Sequence, residues 1–316
     1  GPGFLWMVSA AGSGELLFTP RVGAIYGYAL IWALVGAVVL KWFINREIGR
    51  YTVCTGDTLL DGFTKLPGPR NWAVWLILVP QFLVAIATIA GLAGGAATAL
   101  VLVLPGDIRI WMIASVLTST ALVLWGRYRG VERVATAIAV VLALSAVIAA
   151  ASVLPNLGAL AGGLVPQIPQ DVEVGEILPW LGFMLSGAAG MIWYSYWIKA
   201  KGYGASTAVP GPEEELDARR LSSDARVRLQ GWLTQMTLDN TIAVVGTMII
   251  TMAFLVLGTE LLGAQNLVPE EDRVAEVLGR LLGDIWGPIG FWFMIVAVYI
   301  GFWDTVLSDQ DGFGRM

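Results

Sequence analysis

A chain of 316 residues that is 57% hydrophobic and only 14% charged, with a mean hydropathy of +0.72, lacks the polar surface a water-soluble globule needs, since soluble domains carry about 25% charged residues. The composition therefore points to an integral membrane protein. The absence of histidine excludes an imidazole base or a His-ligated metal, and the single cysteine excludes an internal disulfide. A net charge of -5 offers no surface to nucleic acid.

A spanning helix needs roughly 20 mostly apolar residues. Eight stretches qualify, at 3–20, 24–44, 72–103, 109–126, 131–153, 177–198, 238–262 and 286–307. None alternates with the period of two that a transmembrane barrel requires, so the class is an all-α, multi-pass membrane protein with one membrane domain. The third stretch is too long for one straight span, and Pro80 and Gly94-Gly95 are read as a kink and an end. Asp239 and Asn240 open the seventh and read as its N-terminal cap, because both side chains accept from free N–H groups. Residues 203–230 begin polar and Pro-rich and turn helical and basic, which reads as a cytoplasmic connector spanning about 199–235. Residues 267–284 have helical spacing and mixed charge, as in an extracellular surface helix.

Most of the 19 basic residues fall in alternate loops. Lys41, Arg46, Arg50, Lys65 and Arg70 follow the second stretch. Arg127, Arg129 and Arg133 lie between the fourth and fifth, and Lys199, Lys201, Arg219, Arg220, Arg226 and Arg228 follow the sixth. By the positive-inside rule the N-terminus is cytoplasmic, and the expected location is the plasma membrane.

Two of the stretches are interrupted in a similar way. The first carries Met7-Val8-Ser9-Ala10-Ala11-Gly12-Ser13-Gly14-Glu15, and the sixth carries Met184-Leu185-Ser186-Gly187-Ala188-Ala189-Gly190-Met191. Paired Gly-interrupted segments are the mark of transporters built from inverted repeats, with the site where both helices break. Glu15 is the one ionisable residue of the first stretch. Intramembrane carboxylates are costly and normally bind something or line a cavity. Asp304 in the eighth stretch is a second one, while Asp309 and Asp311 read as interfacial. Trp193, Tyr194, Tyr196 and Trp197 read either as a pocket wall or as anchors at the membrane interface.

The opening Gly1-Pro2-Gly3-Phe4-Leu5, the interruption at 12–15, and Gly27-Tyr28 with Leu30-Ile31-Trp32 resemble the first two helices of the Nramp (natural resistance-associated macrophage protein) family of divalent metal transporters. Arg50 through Gly56, Asp239 through Ala243, and Gly314-Arg315 add weaker similarity. The resemblance implies a LeuT-like fold of two inverted repeats, the first at 1–153 and an incomplete second at 177–316. The family has ten or more helices, so the chain is expected to be incomplete at its C-terminus. The family's Asp-Pro-Gly-Asn positions correspond to Gly12, Ser13, Gly14 and Glu15, and its sixth-helix Ala and Met fall on Ser186 and Ala189. The family's following histidine and its third-helix acidic residues have no counterpart. In lacking the Met the chain resembles the family branch described as magnesium transporters.

The expected function is thus transport of a divalent cation, not enzymatic catalysis. With no thioether or imidazole at the break, the ligands implied are Glu15 first, then Gly12, Ser13, Ser186, Ala189 and Asp304. An all-oxygen set suits hard ions such as Mg²⁺ or Mn²⁺. The cation is substrate, and no covalently bound cofactor is expected. The missing acidic and histidine carriers imply transport without proton coupling. A LeuT-like carrier of a small organic solute, or a homologue that no longer transports, is the alternative.

Overall fold

The structure is a computed structural model that describes residues 1–10, 15–16, 18–169, 172–185, 187–204, 223–268 and 273–316. Among these residues every regular element is helical. In chain order they are α1 (Pro2–Ala10), α2 (Thr19–Tyr26), α3 (Ile31–Thr55), α4 (Leu59–Thr64), α5 (Trp72–Val101), α6 (Ile108–Ser152), α7 (Leu157–Gly162), α8 (Val174–Phe183), α9 (Gly187–Lys201), α10 (Ser223–Leu257), α11 (Val274–Trp286) and α12 (Pro288–Arg315). A π turn, Gly258–Leu262, extends α10. Among the described residues five helical stretches are long and apolar enough to cross a bilayer: Trp72–Val101, Ile108–Trp125, Val174–Lys201, Ser223–Gln265 and Pro288–Arg315. Large apolar side chains on α5, among them Trp75, Leu76, Phe82 and Leu83, stay exposed, a surface suited to hydrocarbon rather than water.

Helix α1 sits centrally, packed against α6, α9, α10 and α12. Two apolar clusters surround it. One joins Leu16 to α5, α6, the second half of α10 and the first half of α12. The other joins Leu5 and Trp6 to α3, α8, α9 and the first half of α10. The second half of the connector after α9 is helical from Ser223 onward, and Val274–Trp286, within the stretch read as a surface helix, forms α11.

Four expectations from the sequence are corrected. The fourth and fifth stretches form one helix of 45 residues, with no turn at Arg127–Arg133. Nothing there stops a helix: Arg is a good helix former, and no proline intervenes. Asp239 and Asn240 do not cap α10, which starts sixteen residues before Asp239. Instead the Asp239 carboxylate accepts from the Gly3 N–H at 2.6 Å, satisfying a free donor in the first turn of α1. The Asn240 side chain accepts from Asn45 Nδ2 at 2.7 Å and donates to the Trp42 carbonyl at 3.2 Å, clasping α3 to α10.

The third correction concerns α5, which runs unbroken through Pro80 and past Gly94-Gly95 to Val101. The glycines serve packing, not termination. A Cβ on Gly95 would come within 2.9 Å of the Phe302 ring, whereas one on Gly94 would meet only Met112 Cε at 3.9 Å. Gly95 therefore lets α5 and α12 approach closely, as small residues do between membrane helices. The last correction is that Asp309 and Asp311 are not at an interface. They are 3% and 4% exposed, because their side of α12 faces α1 and α9 inside the bundle.

The glycine pair yields a prediction. Gly95→Val forces overpacking against Phe302 and should destabilise the protein by about 1–3 kcal/mol. Gly94→Ala should be neutral or stabilising, by up to about 1 kcal/mol. Thermal unfolding of the two variants in detergent, followed by tryptophan fluorescence, checks the difference.

Candidate functional site

The interruption expected in the sixth stretch is present. α8 ends at Phe183 and α9 starts at Gly187. Between them Met184 is extended (φ -51°, ψ 135°) and Leu185 takes a left-handed φ of 54°. A branched side chain is disfavoured there, so surrounding contacts must hold it. Leu185 is fully buried, and its N–H donates to Glu15 Oε1 at 3.2 Å.

Glu15 lies between α1 and α2, in a π-type turn with Leu16, and is 0% exposed. Its Oε1 also accepts a long hydrogen bond from Thr251 Oγ1 of α10, at 3.4 Å. Its Oε2 has no hydrogen-bond partner among the described residues. Since Leu16 belongs to one apolar cluster and Leu185 to the other, the carboxylate sits on the seam between them.

Ending α8 at a break leaves its last carbonyls without intrahelical donors. Lys41 of α3 supplies donors: its Nζ donates to the Gly182 carbonyl at 2.8 Å and to the Met184 carbonyl. Lys41 and Glu15 thus hold the two sides of one peptide group, the lysine at the Met184 carbonyl and the carboxylate at the Leu185 N–H. Sequence reasoning missed this residue by assigning it to the basic loop after the second stretch. The signal was available, since Lys41 falls inside the apolar run 24–44.

The two interrupted segments are paired on both sides of the break. Along α2 and α8, the Glu173 N–H donates to Tyr26 Oη at 2.9 Å, the Arg21 fork meets Glu176 at 2.8 and 2.7 Å, and Trp180 Nε1 donates to Thr19 Oγ1 at 3.0 Å. Phe18 stacks on Phe183 at 5.8 Å. Between α1 and α9, the Trp6 and Tyr194 rings lie 6.0 Å apart.

Helix α12 adds a polar face toward α1 and α9. Asp309 accepts from Ser9 Oγ at 2.8 Å. Asp311 accepts from Trp197 Nε1 at 2.8 Å and from both ends of the Arg315 guanidinium at 2.8 Å. Asp304 is 2% exposed, and its Oδ1 has no partner among the described residues. Trp193, Tyr194 and Trp197 are buried within the bundle, Trp193 against Phe313 at 4.5 Å, so these three are not membrane-interface anchors.

Of the residues assigned to the site from sequence, Glu15 is brought to the α8–α9 break and Asp304 is buried on α12. Ala189 is half-buried in the first turn of α9. Gly12, Ser13 and Ser186 lie outside the described residues. Among the described residues no three acidic or thiol groups converge on one point.

Comparison with known proteins places this geometry in context. The chain is 25% identical to an uncharacterised protein of Pasteurella multocida, over all of this chain and 68% of that one. It is 28% identical to the divalent metal cation transporter MntH of Pectobacterium carotovorum, over 55% of this chain and 42% of that one. It is 29% identical to MntH of Mycobacterium tuberculosis, over 60% and 46%. A crystal structure of a manganese transporter variant from Eremococcus coleocola superposes with a TM-score of 0.70, at 17% identity, covering all of this chain and 65% of that one. That likeness establishes the LeuT-like transporter fold, and the chain spans 42–68% of the length of these proteins. The family model described as natural resistance-associated macrophage protein-like matches residues 3–302, and the chain belongs to this Nramp family of multi-pass membrane transporters.

Proposed function

We propose that the protein carries a hard divalent cation, Mg²⁺ or Mn²⁺, across the plasma membrane as its substrate, with Glu15 as the primary ligand and the N-terminus cytoplasmic. One observation carries the reading. A fully buried carboxylate, with one oxygen unpartnered among the described residues, sits against the backbone break between α8 and α9. A charge buried at that cost normally has a functional counter-ion. Relatives named as divalent metal cation transporters and a fold shared with a manganese transporter support the choice of substrate class.

The ligand set follows from chemistry. Around Glu15 the proposed donors are oxygens: backbone or hydroxyl groups of Gly12, Ser13 and Ser186, with Asp304 as a further carboxylate. Ala189 supplies no donor, and its small side chain leaves room for a cation that keeps several waters, as Mg²⁺ does. The alternative of an organic-solute carrier draws no support from the aromatic residues of α9, because Trp193, Tyr194 and Trp197 are used in core packing.

Three outcomes are expected of the full-length protein in liposomes. Glu15→Gln should reduce Mn²⁺ uptake to background while the purified variant stays monodisperse and keeps its helical content. Uptake at the unmodified rate would show that Glu15 is not the ligand. Competition assays should find Cd²⁺ no better than Mn²⁺, since soft ions need thiolate, thioether or imidazole donors, and Ala189→Met should shift the preference toward Cd²⁺. Finally, metal uptake should leave the lumen pH unchanged when followed with an entrapped pH dye. A proton relay needs a chain of titratable groups, and α5 (Trp72–Val101), which covers the family's third-helix positions, carries none. Metal-dependent acidification abolished by Asp304→Asn would instead identify Asp304 as a proton carrier.

A further inference from the structure

We propose that Lys41 is a tethered cation that occupies the α8–α9 break when no substrate is bound, and that an arriving divalent cation must displace it. The proposal deepens the cation-transport reading and rests on it. Its warrant is the position of the ammonium. Lys41 lies on α3 amid Val38, Val39, Leu40 and Phe43, far enough from the helix end that no loop carries it. Its hydrogen bonds go to the carbonyl oxygens of Gly182 and Met184. Backbone carbonyls at the C-terminal end of a half-helix are the groups that coordinate small cations in transporters of this architecture. At the next residue of the break is Glu15, whose Oε1 accepts from the Leu185 N–H and whose Oε2 has no partner among the described residues.

An ammonium and a metal cation cannot share these oxygens, because both bring positive charge to the same small volume. While Lys41 is docked, the carboxylate has a counter-charge inside the membrane, which offsets the penalty of burying it alone. The lysine stem is flexible and ends in a compact point charge with three rotatable donors, so it can withdraw without rebuilding the helix. It also competes at the high effective concentration of a tethered group. A monovalent ion replacing it brings no more charge than it removes and loses to the tether. A divalent ion brings twice the charge to Glu15 and the carbonyls. Lys41 thereby becomes a specificity-determining residue: it lowers affinity for all cations and makes the site discriminate by charge.

The test is Mn²⁺ binding to the purified full-length protein, measured by calorimetry and by the loss of the free-ion paramagnetic signal, with and without excess Na⁺. Lys41→Gln keeps a donor for the carbonyls while removing the charge, and Lys41→Met removes both. Both should bind Mn²⁺ about tenfold more tightly, the direction expected when a like charge leaves a site of low dielectric. Both should also acquire sensitivity to Na⁺ that the unmodified protein lacks. Tighter binding and new Na⁺ competition in the Gln variant alone suffices if the Met variant does not fold. Unchanged or weaker Mn²⁺ binding in both variants, with binding intact in the parent protein, overturns the tether and leaves the cation-transport reading standing. Absence of Mn²⁺ and Mg²⁺ binding in the parent and in both variants overturns the transport reading and the tether together.

Discussion

The hydrogen bond from the Leu185 N–H to Glu15 Oε1 is the point on which the rest of the arrangement depends. It joins an interrupted segment near the start of the chain to another 170 residues later, and it fixes a leucine in a backbone region that its Cβ resists. Without the carboxylate, the N–H at the break would be a buried donor with no partner, and Leu185 would have little reason to stay left-handed. Without the break, Glu15 would keep only the long hydrogen bond from Thr251 on the seam between two apolar clusters. Each feature removes the cost of the other.

That mutual dependence explains how polar contacts are distributed. The contacts tying α2 to α8 run from Glu173 to Phe183, so those two half-helices are held as a pair on one side of the break. On the other side, α1 is held by different partners: its first turn by Asp239, its middle by Tyr194, and Ser9 by Asp309. The polar side-chain ties of α1 and α2 thus go to different residues, although both helices also pack on α10 and its π extension.

The interruption of the sixth stretch was legible, because glycine and serine in an apolar run have no easy alternative explanation, whereas that of the first, at 11–14, lies outside the described residues. The placement of Glu15 against that break was legible because a lone carboxylate in an apolar run must find a polar partner. Features whose cause lies in another helix were not. Gly95 reads as a breaker until Phe302 is placed against it, and Asp239 reads as a cap for its own helix until Gly3 is found within 2.6 Å. Both signals were identified, but assigned to the local element instead of to a partner distant in sequence. The continuity of α6 was hidden by a charge rule that reports which side residues occupy, not whether the backbone turns. Asp309 and Asp311 looked interfacial because proximity to the chain's polar end cannot reveal that α1 and α9 cover them.

Lys41 shows where one reading of charge displaces another. Counted with Arg46 and Arg50 it contributes to a loop-charge asymmetry, and in that role its position in the sequence matters only to within several residues. Placed on α3, it donates to the Gly182 and Met184 carbonyls at the break. On the proposed reading its charge stands where a bound ion otherwise would. A site of this kind does not need substrate in order to remain folded in a bilayer. A cation transporter with a tethered, displaceable counter-charge gives up affinity to gain a stable empty state, and an empty state that is stable can return across the membrane without cargo. If the proposed uniport holds, that return step is as necessary as the loaded one, so the weakness that a docked Lys41 would impose on binding is compatible with turnover rather than opposed to it.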